Sequence, residues 1–294
     1  MYGTAYELIY DESKNSKYTS ELQWNIKPLW YAGLFFEYGP KEPSVTMGFY
    51  GAIYLKIGLP MKTGVVEDRD WLTPASTPGS LTLYSSHENK TSASVIADLE
   101  PGISFPLINN LSLKLYLGFS YMYFKFEGSD GYTQYGDNNR IASQTNPYIP
   151  WNSGWPKNYI SGLGIDYVQN WFILKPGIEF VWSNKYFLIN ASFSASPLVG
   201  CFSIDNHYHR NPHFQTRSNL SGVVYFEPKV DFLYKINNRF GFGLSFSYRH
   251  IGEIKGDVEH EEYFTTGTVK NNYYNIGGAA YKAITLEGIF RVNF

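Results

Sequence analysis

The stretch Val45-Thr46-Met47-Gly48-Phe49-Tyr50-Gly51-Ala52-Ile53-Tyr54-Leu55-Lys56-Ile57-Gly58-Leu59 alternates with a period of two residues. One parity carries Val45, Met47, Phe49, Ile53, Leu55, Ile57 and Leu59; the other carries Thr46, Gly48, Tyr50, Ala52, Tyr54 and Lys56. Successive side chains of a strand point to opposite faces. The stretch therefore reads as a strand with one apolar face and one face of small, polar or Tyr residues. The pattern returns at 111–119, 172–182, 187–193 and 224–232, and again in the closing run Ile284, Leu286, Gly288, Phe290, Val292, Phe294. Helical spacing is nowhere comparably sustained.

The connections alternate in length. Short turns fall at 39–43, 109–110, 183–185 and 237–238, and long polar stretches lie near Lys14 and across 61–92, 127–157, 202–218 and 250–272. Four short turns and five long connections join ten strands with both termini on the short-turn side. An even number of antiparallel strands, short turns on one side and long loops on the other, is the plan of a transmembrane β-barrel. The expected fold is thus all-β: one domain spanning 1–294, a ten-stranded antiparallel transmembrane β-barrel with long extracellular loops. A membrane-spanning strand needs about 9–11 residues. Several strands here are longer, which predicts a barrel that projects above the bilayer.

The composition fits this plan. The chain has 294 residues, 44% of them hydrophobic, and contains 26 Tyr and 21 Phe but only 4 Met. No apolar run reaches the length of a helical span, so a helical membrane protein is excluded, whereas barrel strands need apolar residues only at every second position. The abundant Tyr at strand ends suits an interfacial girdle. A net charge of −2 leaves no footprint for nucleic acid. Cys201 is the single cysteine, which rules out an internal disulfide and a cysteine-built metal site. Its shared parity with Phe193, Ala195 and Val199 predicts that it faces lipid. Met1 and Tyr2 run directly into strand-like sequence, which reads as a mature segment, so export is inferred from the body of the chain.

Two clusters could carry chemistry. Asp68-Arg69-Asp70 places two carboxylates on one face of an extended segment, about 7 Å apart, and like charges held that close raise a pKa and position a water. Asp205-Asn206-His207 has the same spacing and lets a carboxylate orient an imidazole. Ser85 and Ser86 beside His87 keep a serine nucleophile open. A metal site of Asp205, His207, His209 and His213 is conceivable, although the His spacing matches no helical metal motif; no metal or other cofactor is expected. An idle barrel serving as an adhesin and a porin-like pore are the alternatives. Tyr50, Tyr54 and Tyr116 are predicted to point inward and fill a ten-stranded lumen, which argues against the pore.

From about Gly3 to Phe294 the chain resembles the omptin family of outer-membrane proteases. The resemblance is carried by Gly3-Thr4-Ala5-Tyr6-Glu7 with Tyr10, by Ser20-Glu21-Leu22-Gln23-Trp24, by Asp68-Arg69-Asp70-Trp71, by Ser85-Ser86-His87, by Asp205-Asn206-His207-Tyr208, by Arg217-Ser218 and by the final strand ending in Phe294. It implies an endopeptidase in the bacterial outer membrane that cleaves polypeptides at the cell surface. In that reading His207 is the general base, Asp205 orients it, Asp68 holds the attacking water and Asp70 completes the opposing pair. Glu7 matches an acid on the floor of the pocket for a basic residue. Ser203 and Leu83 stand where the resemblance calls for further substrate-facing acids, so a strict preference for paired basic residues is not expected. Phe119, Tyr121 and Tyr123 occupy the outer face where a lipopolysaccharide site would lie. Contact with outer-membrane lipids is expected, activation by lipopolysaccharide is not, and the chain is expected to act as a monomer.

Overall fold

The computed structural model describes residues 1–10, 18–40, 46–72, 80–135 and 150–293. The segment near Lys14, most of the predicted turn at 39–43 and Phe294 lie outside them. The described chain forms one sheet: β1 (Tyr2–Tyr10), β2 (Tyr18–Ile26), β3 (Tyr31–Tyr38), β4 (Gly48–Gly58), β5 (Met61–Asp70), β6 (Leu83–Ile108), β7 (Leu111–Gln134), β8 (Asn158–Ser183), β9 (Phe187–Ser196), β10 (Leu198–His207), β11 (His213–Gly222), β12 (Tyr225–Lys235), β13 (Phe240–Phe264) and β14 (Gly267–Val292). Short breaks separate β2 from β3, β4 from β5, β9 from β10 and β11 from β12. Each of these pairs continues along one line, against shared neighbours such as β6 for β4 and β5, and β8 for β9 and β10. The fourteen segments are therefore ten spans, as expected. All pairings are antiparallel, and β1 joins both β2 and β14, which closes the ring. Below Tyr2, β3 and the last turns of β14 face each other across a cavity; Lys56 bridges it to Glu287, and Glu37 to Arg291 at 3.3 Å.

The outward faces carry an apolar band. Leu34, Phe49, Leu117, Phe172, Phe232, Leu244 and Phe290 are all exposed, an arrangement that water does not favour and lipid does. The lumen below the rim is filled in two layers. The lower layer is ionic. Lys175 meets Glu100 at 2.8 Å and Glu227 at 3.1 Å, Arg249 meets Glu227 at 2.8 Å, and Tyr225 donates to Glu227 at 2.7 Å. Every member has partners, the condition for burying charge without a large penalty. Tyr50 and Tyr116 point inward into this region, as predicted, and both are buried. Above it lies an aromatic layer in which Trp24 stacks on Phe126 at 5.5 Å and on Tyr167 at 5.7 Å, and Phe124 meets Tyr281 at 5.3 Å.

Two expectations need correction. The polar stretches at 61–92, 202–218 and 250–272 are largely strand, through β5, β6, β10, β11, β13 and β14, and β7 carries strand through 127–134 of the stretch at 127–157. Above the apolar band the outward face meets water, and many inward positions are buried but polar, among them Thr63, Ser85, His87, Asn89 and Thr91, so the apolar alternation disappears while the backbone ladder continues. Cys201, in turn, does not face lipid. It is 2% exposed and belongs to the interior cluster with Val199 and Leu220. The reason is the break at Pro197. β9 and β10 both pair with β8, but the register advances by one residue between Ser194↔Gly177 and Leu198↔Leu174. A one-residue slip sends each later side chain to the opposite face.

Candidate active site

That slip points Ser203, Asp205 and His207 into the mouth of the barrel. His207 Nε2 lies 2.6 Å from Asp205 Oδ2, and the imidazole stacks on Phe214 at 4.3 Å. Asp205 is almost fully buried. Its carboxyl is raised well above the usual range, first by burial and then by the charge of Asp166 behind it, against the Arg210 guanidinium and the Asn206 backbone N–H. Burial, reinforced by Arg210 and opposed by Asp70, holds His207 down at about 3. Burial thus disfavours charge on either member of the couple. Nε2 is engaged with Asp205, which leaves Nδ1 as the nitrogen free to act as a base.

The facing wall is built by β2, β5 and β6. Leu22 pairs with Asp68, Ser20 with Asp70, Asp68 with Ser85 and Asp70 with Leu83. All these side chains share the inward face with buried Val66, while Glu67 and Arg69 point out and pair with each other at 2.8 Å. Gly64 sets this phase: its φ of +108° marks the bulge at which the β5–β6 register shifts, and glycine takes that conformation without strain. Asp68 is raised well above its usual range by burial and then by Asp70, with Arg210 opposing and Asp205 and Glu7 adding to the rise. Asp70 is raised by burial, opposed by a hydrogen bond with Ser20, by Arg210 and by His207. The charge of each pair registers at the other, so the two pairs face one another over a common groove. Asp68 Oδ1 and Asp205 Oδ1 are buried and have no hydrogen-bond partner among the described residues. Such orphaned acceptors are rare and call for a donor from outside the chain.

The groove floor joins the walls. Glu7 pairs with Leu22, one inward position above Ala5, and is buried with Oε2 unpartnered. Burial, then the charge of Asp205, pushes it well above the usual carboxylate range. Beside it, the Tyr167 hydroxyl accepts from Gln169 at 3.1 Å and lies near Ser203. Ser203 is thus a floor residue next to Glu7, and Leu83 lines the Asp wall opposite Asp70.

Of the other candidates, Ser85 and His87 are on β6, not in a loop. His87 Nδ1 donates to the Asp130 carbonyl at 2.8 Å, so its Nε2, 3.1 Å from Ser85 Oγ, accepts from that hydroxyl. Ser85 also lies near the Tyr135 hydroxyl. Among the described residues no group of three or more His, Cys, Asp and Glu is placed to hold a metal; His213 stacks instead between Tyr208 and Tyr263. Two residues escaped the sequence reading. Arg210 and Tyr135 sit in connections without periodicity, and only the fold brings them to the groove.

Comparison with known proteins agrees with this architecture. A sequence profile of the Omptin family matches residues 1–291. No curated protein matches the chain in sequence. Among solved structures, the crystal structure of the outer membrane protease OmpT from Escherichia coli superposes with a TM-score of 0.78 at 16% identity, covering 99% of this chain and 93% of that one. The fold is therefore shared at a sequence distance where little besides pattern survives. The exposed apolar band is the lipid-facing surface of an outer-membrane barrel, its groove opens to the cell exterior, and the chain belongs to the Omptin family.

Proposed function

We propose that this protein is a cell-surface endopeptidase that hydrolyses polypeptides with a water activated between Asp68 and His207. What supports the reading is the unpartnered Asp68 carboxylate oxygen together with a His207–Asp205 couple near enough for the charges of the two pairs to register at each other. A water held there donates one hydrogen bond to Asp68 and gives its other proton to His207 Nδ1 as its oxygen attacks the substrate carbonyl carbon. Asp205 stabilises the imidazolium that forms. The proton then passes to the amide nitrogen, the C–N bond breaks, and the imidazole is restored. No covalent enzyme intermediate is required, and general-base help of this kind is worth about 10²–10⁴-fold. Asp70 completes the opposing pair and raises the Asp68 pKa further.

Glu7 gives the groove a preference. Its buried, unpartnered oxygen is costly when charged and empty, and an incoming Arg or Lys side chain supplies the missing counter-charge. With Ser203 and Leu83 at the other two positions, Glu7 acts alone, so one basic residue suffices. Tyr121 donates to Asn170 at 2.9 Å and packs on Phe172 at 5.3 Å, so this outer face presents aromatic rings to lipid. Activity as a monomer without lipopolysaccharide follows from that reading. The test is cleavage of an Arg-containing quenched peptide by the refolded chain in lipopolysaccharide-free detergent. The expected result is turnover that drops by about 10²-fold or more in His207→Ala and in Asp68→Asn. Full activity in both variants would refute the site. A folded wild type that binds the peptide without cutting it would leave the adhesin reading.

A further inference from the structure

Arg210 stands in the turn at 208–212, three residues beyond His207. That turn is pinned by Tyr208, whose N–H donates to the Gly164 carbonyl at 2.9 Å and whose hydroxyl donates to Asp166 at 2.8 Å. From there the Arg210 guanidinium, on the exposed rim, reaches over the end of β8 to the end of β7. Nη2 donates to the Tyr135 hydroxyl at 3.4 Å, and the guanidinium carbon lies 5.5 Å from that ring. Tyr135 follows the last residue of β7, which pairs with β6 beside the Asp wall, and its hydroxyl lies near Ser85, the register partner of Asp68. Among the described residues no carboxylate stands within ion-pair distance of Arg210. Its positive charge nonetheless reaches Asp68, Asp70, Asp205 and His207 alike. A guanidinium offers five donors in a planar fork that matches a carboxylate. Here one of them rests on a long bond to a phenol.

We propose that Arg210 is a specificity-determining residue that binds an acidic side chain of the substrate beside the cleaved bond. The groove is then bipolar, with an acid, Glu7, on its floor and a cation, Arg210, at its mouth. Its preferred substrate is a polypeptide segment in which a basic residue lies next to Asp or Glu. Tyr135 parks the guanidinium while the groove is empty and releases it to the substrate carboxylate, a stronger, charge-assisted partner. The proposal rests on the endopeptidase reading and deepens it.

The test uses two quenched peptides, identical but for a Glu or a Lys flanking the same Arg, with kcat/KM and binding by fluorescence polarisation measured separately on the refolded full chain. In the wild type the Glu peptide is expected to lead by about tenfold or more, the value of one charge-assisted hydrogen bond. Arg210→Met brings the ratio to near one, Arg210→Glu inverts it, and Tyr135→Phe keeps it. A ratio that stays put in Arg210→Glu while cleavage continues overturns the proposal and leaves the endopeptidase reading intact. Binding that shows the Arg210-dependent charge preference without any cleavage does the reverse. Binding with no charge preference overturns the proposal whether or not cleavage occurs.

Discussion

A cation poised over four titratable groups leaves its mark on their pH dependence. Arg210 lowers the pKa of Asp68, Asp70, Asp205 and His207. Removing its charge raises all four, because each proton is then released against less positive potential. The acid limb of kcat/KM in Arg210→Met is therefore expected at higher pH than in the wild type, and a downward shift in the pH–rate profile would contradict the placement of the guanidinium. Legibility at this scale was uneven. Asp68, Asp70, Asp205 and His207 were readable as pairs, because i, i+2 spacing on a strand puts both side chains on one face. Their roles came from the resemblance, since spacing alone fits a solvated loop equally well. Arg210 was unreadable: a lone Arg after His209 carries no pattern, and its partner Tyr135 is remote in sequence.

Strand irregularities decide which residues meet. Pro197 rephases β10, and Gly64 rephases β5, so that both halves of the site turn inward. Period-two reading carries phase faithfully along an unbroken strand and loses it at a bulge, which is why Cys201 was assigned to lipid. A third irregularity holds the Asp wall. Gly131 has φ +109°, and a Cβ there would lie 2.1 Å from the Ser86 carbonyl oxygen. Its neighbour Asp130 offers the carbonyl that orients His87. Gly131→Ala is expected to cost about 1–3 kcal/mol in unfolding free energy, the usual scale of such backbone strain. Peptidase activity should fall with it, as the hydrogen bonds from Asp130 through His87 to Ser85 loosen. Urea unfolding in detergent micelles measures the first effect, and an unchanged midpoint would mean that β7 relaxes around the added carbon. The polar upper strands were mistaken for loops for a related reason: above the membrane no lipid enforces the alternation.

Across the whole molecule, the barrel acts as a sealed pedestal for its rim. The ionic layer around Lys175, Glu227 and Arg249 and the aromatic layer around Trp24, Phe126 and Tyr167 close the lumen beneath the groove. The wild type is expected to pass no measurable ion current in planar bilayers; stable single-channel steps would refute the seal. Arg249→Ala leaves Glu227 short of a partner in the lumen and is expected to destabilise the barrel by about 3–5 kcal/mol, read from the shift in its urea midpoint. The ten-span plan was visible in the alternation and the turns, because both follow from lipid outside and a filled lumen inside. The groove was not, because closure of the ring brings together residues as distant as Glu7, Asp68 and Asp205. The central claim is that the two pairs form one hydrolytic unit, and a double-mutant cycle on kcat/KM tests it most directly. If Asp68 and His207 share one water, Asp68→Asn and His207→Ala each lose about 10²–10⁴-fold and the double variant loses no more than the worse single. Losses that multiply in the double variant, or activity that survives it, would contradict the shared site.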